Sequence, residues 1–148
     1  MRALLQRVTR ASVTIDGKER RETGPGYVIL LGVGKGDAEA QAQKLVDKIA
    51  GLRVFSNAEG KFDRSVLDVK GEALVVSQFT LYGRAKGGRR PDFTAAAAPG
   101  DAAPLYERFC ALLRAAGVPV KTGAFGASMA VELVNDGPVT LLLDTADL

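Results

Sequence analysis

Only two stretches of this chain repeat their apolar residues at helical spacing, and that scarcity limits the folds open to it. The first runs from Asp37, its expected cap, to about Ala50, with Ala38, Ala42, Leu45, Val46 and Ile49 on one face. The second starts at Asp101, places Pro104 in its first turn and buries Leu105, Phe109, Leu112 and Leu113 before Gly117 and Pro119 stop it. A doubly wound sheet carries a helix on nearly every crossover, so two helices are too few for one.

The remainder reads as strands. Residues 1–15 alternate loosely through Leu5, Val8, Ala11, Val13 and Ile15, and the turn signal Asp16-Gly17 returns Lys18 to Thr23 as the second arm of a hairpin. Tyr27 to Leu31 is a continuous apolar run, and Leu52 to Phe55 is a short strand before a turn at Asn57-Ala58-Glu59-Gly60. Ala73 to Val76 leads into Ser77-Gln78-Phe79-Thr80-Leu81 as one further strand. Tyr82 to Gly100 is a long loop, and Val118 to Lys121, Met129 to Val134 and Val139 to Leu143 close the chain. The expected architecture is α/β, with two β-sheet layers covered on the outside by two helices, in one domain over residues 1–148. Charged residues at 25% and apolar ones at 47% fit a globular protein with disorder expected only at Ala146 to Leu148. The opening residues lack a signal-peptide pattern and no apolar run approaches a membrane span, so a cytoplasmic protein with no membrane partner is expected.

The chemistry is bounded by what is missing. There is no histidine, which removes Ser-His-Asp and Cys-His catalysis and histidine-based zinc sites. Cys110 is the only cysteine, so the chain can form neither an internal disulfide nor a thiolate cluster. No cofactor or metal site is expected; Glu132 and Asp136 read as solvent-facing rather than as cation ligands. An enzyme built this way works with backbone groups, hydroxyls, carboxylates, amines or atoms of its substrate. The balance of 20 Lys and Arg against 17 Asp and Glu is compatible with an RNA partner without indicating one.

Three segments can carry chemistry. Ser77-Gln78-Phe79-Thr80-Leu81 puts two hydroxyls, an amide and an aromatic ring at a strand end, where its N–H groups can face an oxyanion. Read alone, it is also an ordinary strand end meeting water. Asn135-Asp136-Gly137-Pro138-Val139-Thr140 has the residues of a β-turn between two strands. It also holds an X-Pro bond, of a kind that is cis in about 5–6% of cases. Thr122 to Met129, with small residues around Phe125, is either a glycine-rich connection with a buried ring or a wall that a nucleobase can lie against. Arg84, Lys86, Arg89 and Arg90 crowd one loop, which reads as solvated. Gly32-Val33-Gly34-Lys35-Gly36 lacks the spacing of a phosphate loop.

Ser77-Gln78-Phe79-Thr80-Leu81 and Asn135-Asp136-Gly137-Pro138-Val139-Thr140 together resemble the SQFTL and NxGPVT signatures of the D-aminoacyl-tRNA deacylase (D-tyrosyl-tRNA deacylase) family. Arg7-Val8, Ala11-Ser12-Val13 and Phe125-Gly126-Ala127 extend the likeness end to end. Two departures stand out: Phe62-Asp63 where Met-Asn is common, and an extra base in Arg89-Arg90-Pro91. The resemblance implies a homodimer whose active site is shared between subunits. Gly137 and Pro138, with a cis bond and held by Arg7, would select chirality. Ser77, Gln78, Phe79 and Thr80 would form the catalytic floor, and Phe125, Gly126, Ala127, Ser128 and Met129 would receive the 3′-terminal adenosine of an aminoacyl-tRNA. The implied activity is hydrolysis of D-aminoacyl-tRNA and mischarged glycyl-tRNA, as proofreading in translation. The oxyanion would be held by backbone N–H groups, and the ribose 2′-hydroxyl would assist; covalent attack by Thr80 ranks second. Two other readings stay open: a related deacylase with a trans Gly-Pro bond acting on L-aminoacyl-tRNA, and a nucleic-acid-binding module without catalysis.

Overall fold

The computed structural model describes all of residues 1–148. Its organising element is β1, Arg2–Ile15, which pairs with different partners along its length. After the left-handed pair Asp16 and Gly17, β2 (Glu19–Thr23) returns antiparallel to the distal half of β1, from Ala11 to Ile15. The proximal half, Arg2 to Val8, pairs instead with β3 (Gly26–Gly32). The chain then forms helix α1 (Glu39–Gly51), a small hairpin of β4 (Phe55–Ser56) and β5 (Phe62–Arg64), and β6 (Glu72–Ser77), parallel to β3. Helix α2 (Pro99–Ala115) leads to β7 (Val120–Thr122), parallel to β6, and β8 (Met129–Asp144) finally runs beside the whole of β1. The result is a mixed sheet with two helices.

Side-chain parity decides what each face does. Ala3 and Leu5 of β1, Tyr27, Ile29 and Leu31 of β3, and Ala73 and Val75 of β6 point to the helices. There they pack with Leu45, Val46 and Ile49 of α1 and Tyr106, Phe109 and Leu113 of α2. Val28, Leu74 and Val76 point the other way and are covered by Val8, Ala11, Val13 and Ile15 of β1 itself. Leu5 and Val8 face opposite sides by ordinary alternation; Ala11, Val13 and Ile15 share the face of Val8, not that of Ala3 and Leu5, because the ladder between β1 and β8 is irregular on both sides of Val8. The distal half of β1 thus lies over the face that the helices leave bare.

Several boundaries differ from the sequence expectation, each for a visible reason. Helix α1 starts at Glu39, because the Asp37 carboxylate is engaged by the Gly34 N–H at 2.7 Å and the Met1 ammonium at 2.9 Å; Gln41 accepts the Ala38 N–H instead. Helix α2 starts at Pro99, so Asp101 lies in the first turn rather than capping it. Its buried stripe is Ala102, Tyr106, Phe109, Cys110 and Leu113, with Leu105 and Leu112 at the margin. The strand expected through Leu81 ends at Ser77 and gives way to a 3₁₀ turn, Phe79–Tyr82. The two strands expected on either side of Asn135 to Thr140 are one strand, and the segment between them is a bulge rather than a reversal. The short strand expected at Leu52 to Phe55 sits at Phe55–Ser56, paired across the Asn57 turn. Thr145–Asp147 forms a 3₁₀ turn capped by Asp144, and the Thr145 N–H donates to the Met1 carbonyl at 3.0 Å, so the last residues are held.

Helix α2 is tied to the site-bearing strand β6 by the Tyr106 hydroxyl, which donates to the Val75 carbonyl at 2.7 Å. That carbonyl also accepts the Gly123 N–H. Tyr106→Phe should therefore cost only about 1 kcal/mol. Phe109→Ala, which empties a fully buried position, should cost about 3–5 kcal/mol. Urea unfolding of both variants checks the contrast.

Candidate functional site

Strand β6 does not stop for want of a partner: the Gln78 N–H still donates to the Leu31 carbonyl at 2.8 Å. The chain then tightens into the turn Phe79–Tyr82 because β3 ends in glycines that let it approach. A Cβ on Gly34 would lie 2.7 to 2.8 Å from the Tyr82 ring, and one on Gly32 would lie 3.1 Å from the Gln78 carbonyl oxygen. The Gly32 to Gly36 stretch therefore serves packing. Arg2, which sequence reasoning missed, holds the turn from outside. Its guanidinium lies 4.5 Å from the Tyr82 ring centroid, donates to the Leu81 carbonyl at 2.9 Å, and is anchored by Asp144 at 2.8 Å. Partial burial pushes the Asp144 carboxyl up, but the Ala146 N–H and Arg2 outweigh it and leave the pKa below the usual value. No spacing rule links residue 2 to residue 81; only the ladder from β1 through β3 to β6 does.

This turn presents its groups outward. Phe79 is 54% exposed, its ring edge-on to Phe93 at 5.0 Å. Gln78 Nε2 donates to the Thr80 hydroxyl. The N–H groups of Phe79 and Thr80 open the 3₁₀ turn, so neither has an acceptor within it.

The turn forms one end of a cleft of about 580 Å³, a volume within the usual range for a small-molecule site. Ser77, Gln78 and Phe79 form that end; Phe125, Gly126, Ala127 and Met129 form the wall opposite. Phe93, Ala96, Ala97 and Ala102 also line it, with Val33, Val76, Pro99 and Val131. Of the residues expected here, Thr80 and Ser128 do not line the cavity. Both are exposed, and Ser128 offers its carbonyl to the Asp16 N–H at 2.8 Å. Phe125 is half-buried, its ring 6.1 Å from that of Tyr106, and it also lines the cleft. No ionisable side chain lines this cavity. No group of three or more His, Cys, Asp or Glu side chains is placed to hold a metal ion.

The second expected constellation lies elsewhere. Gln6 pairs with Thr140 and Val8 with Asn135, so Asp136 to Val139 are extruded from the ladder. Beneath them lies Arg7, 8% exposed, whose Nε donates to the Asp136 carbonyl at 3.0 Å and whose Nη1 donates to the Val54 carbonyl at 2.8 Å. Its guanidinium also lies 5.7 Å from the Phe62 ring centroid. Gly137 has φ +129, and a Cβ there would lie 3.1 Å from Arg7 Nη2. Asn135 closes the bulge by accepting the Val139 N–H and donating to Thr140. The Gly137–Pro138 peptide bond is cis. Both residues are exposed, and neither lines the cleft of its own chain. The residues singled out from sequence thus fall into two groups, a cleft and a projecting corner.

The profile of a family described as D-Tyr-tRNA(Tyr) deacylase matches residues 4–144. A protein of Roseiflexus castenholzii named D-aminoacyl-tRNA deacylase is 58% identical over 146 residues, covering 99% of this chain and 93% of that one. A protein of Ruegeria pomeroyi with the same name is 56% identical, covering 97% and 99%. Among solved structures, a c-Myc DNA unwinding element binding protein superposes with a TM-score of 0.91 at 43% identity, covering 97% of this chain and 98% of that chain. A probable eukaryotic D-amino acid tRNA deacylase, at 19% identity and a TM-score of 0.82 over 96% of this chain and 97% of its own, shares the fold.

The close approach of β3 and the 3₁₀ turn is directly testable. Gly34→Ala forces the Tyr82 ring aside and should destabilise the chain by about 1–3 kcal/mol. Gly51→Ala, at a helix end with nothing within 4 Å, should be neutral or stabilising by up to about 1 kcal/mol. Denaturant midpoints of the pair decide it.

Proposed function

This chain belongs to the D-Tyr-tRNA(Tyr) deacylase family, and we propose from that premise that it hydrolyses the ester joining a D-amino acid, or mischarged glycine, to the 3′ end of tRNA. The observation that carries the reading is the cleft itself. It is apolar, sized for a nucleoside, walled by Phe125 and Met129, and closed at one end by a turn with two free N–H donors. The terminal adenosine lies against the Phe125 to Met129 wall, and the ester carbonyl meets the turn at Ser77 to Thr80.

The chemistry follows from what the cleft lacks. An aminoacyl ester is already activated, so catalysis needs a positioned water and a stabilised tetrahedral oxyanion. The N–H groups of Phe79 and Thr80 supply the second. Water oxygen bonds to the carbonyl carbon, the bond to the ribose 3′-oxygen breaks, and a proton passes to that oxygen. With no acid or base among the lining residues, the neighbouring 2′-hydroxyl of the RNA relays it. Thr80 lacks a base to make it a nucleophile.

Handedness is read by the corner. Arg7 fixes the Asp136 carbonyl from below, and Gly137 and Pro138 project where an L side chain would clash and a hydrogen would fit. Because this corner does not face the cleft of its own chain, a second copy delivers it. Supporting that, β8 pairs only with β1, leaving its other edge open, and Val131, Val134, Leu141 and Leu142 are exposed along it. Val131 also lines the cleft, so this edge borders the site. The two-layered sheet is then closed by a homodimer acting in the cytoplasm on aminoacyl-tRNA.

Matched D- and L-aminoacyl-tRNA are the decisive substrates: release of the D-amino acid alone is expected, while no release of either leaves only nucleic-acid binding. That second reading is favoured by the name of the 43% identical structure. Arg7→Lys, which keeps the charge but loses the forked geometry, should lower the D-over-L preference by about tenfold or more. An unchanged preference removes the corner from selection.

The relay is tested separately. Substrate ending in 2′-deoxyadenosine should react more slowly by on the order of 10²–10⁴, whereas Thr80→Ala should keep most of its activity. The reverse pattern would make Thr80 the nucleophile.

A further inference from the structure

Arg84, Lys86, Arg89 and Arg90 lie between two elements of the cleft. Arg84 and Asp92 exchange backbone hydrogen bonds, both at 2.8 Å, closing a loop whose base is set by the turn Phe79–Tyr82 on one side and by Phe93 on the other. Residues 84–92 are all exposed. None of the four cationic side chains takes part in an ion pair; what sets them apart from the other unpaired cations is that they crowd into seven consecutive residues. Asp92, the one acid in the loop, accepts the Thr94 N–H at 2.7 Å within its own turn.

The charge count sharpens this. The loop holds four of the 20 cations and one of the 17 acids, so the rest of the chain balances at 16 against 16. The entire net charge of +3 therefore sits on one projection at the cleft mouth. A body of zero net charge with one basic arm is suited to a polyanion that arrives together with the ligand of the cleft. Three of the four cations are arginines, whose planar fork binds phosphate oxygens in pairs.

We propose that the loop from Arg84 to Arg90 is a docking arm for the phosphates of the RNA body behind the terminal adenosine, with Lys86, Arg89 and Arg90 as its positioning residues. This rests on the deacylase reading. The arm acts on capture of the RNA and leaves the reacting ester untouched, since none of its residues lines the cleft.

The test pairs two substrates that differ only in the RNA body: D-aminoacyl-tRNA and the same D-aminoacyl ester of adenosine. In the K86Q/R89Q/R90Q variant, kcat/KM for the tRNA substrate should fall by on the order of tenfold at low salt. The slope of its logarithm against log salt should flatten by about 0.7–0.9 for each phosphate that the arm no longer neutralises. Hydrolysis of the adenosine ester should be unchanged, as should the tRNA slope of an R89K/R90K variant that keeps the charges. An unaltered slope in the neutralised variant overturns the assignment, and an equal loss on both substrates overturns it by showing that the loop shapes the cleft. Should the wild-type protein leave both esters intact, the deacylase reading itself falls and the docking arm falls with it.

Discussion

A guanidinium buried where one strand changes faces organises this molecule. Arg7 lies at the point where β1 leaves β3, turns over the opposite side of the sheet and takes up β2. Burying a charge is costly unless its hydrogen bonds are met. Here they are met by carbonyls of two different segments, Val54 before the small hairpin and Asp136 on the extruded part of β8, with Ser56 in reach at 3.3 Å. The same group therefore fixes the bulge, the hairpin and the fold-back of β1 together. A lysine there would carry the charge but lacks the rigid planar fork that reaches the Asp136 and Val54 carbonyls from separate nitrogens. Removing the charge altogether would leave the Asp136 and Val54 carbonyls looking for donors.

Around that pin the chain holds apart a cleft and a projecting corner. The cleft has shape, apolar walls and backbone donors, and the corner has rigid main-chain groups and a tethering cation. Neither relies on a group that titrates near neutrality. Where nearby burial does perturb ionisation, it acts on side chains outside the chemistry. Tyr82 is pushed up to about 12, by burial first, and Cys110 likewise to about 12 by burial among α2 neighbours. The one free thiol is thereby kept as a core residue.

Local sequence rules carried the elements well where one periodicity dominated. Helix α1 and the hairpin at Asp16-Gly17 were legible because amphipathic spacing and turn chemistry act over a few residues. They failed where a long-range contact decided the outcome. Ser77 to Leu81 has the composition of a strand end, yet it coils because Gly34 admits the Tyr82 ring and Arg2 grips the Leu81 carbonyl. Asn135 to Thr140 has turn residues, yet the partner strand is continuous and absorbs them as a bulge over Arg7. The helix start expected at Asp37 moved because the carboxylate had a distant partner in Met1. The chemical segments themselves were legible as types, but their division between a cleft and a separate corner was not, since it depends on which side of β1 each one lies.

The neutrality of the cleft and the basicity of its rim belong together. A pocket without charge neither attracts a polyanion from a distance nor must strip ions from its own walls when a nucleoside enters. Long-range capture then has to come from charges outside the pocket, and screening weakens such charges beyond about 8 Å at physiological ionic strength. They are effective only if they stand beside the mouth. The loop from Arg84 to Arg90, rooted in the turn that carries Phe79 and in Phe93, has that position. On the proposed reading, recognition by charge and discrimination by shape are assigned to different atoms. On that same reading, the strength of RNA capture can change with salt or with the sequence of one exposed loop while the geometry of the cleft and the corner stays fixed by Gly34, Arg2 and Arg7.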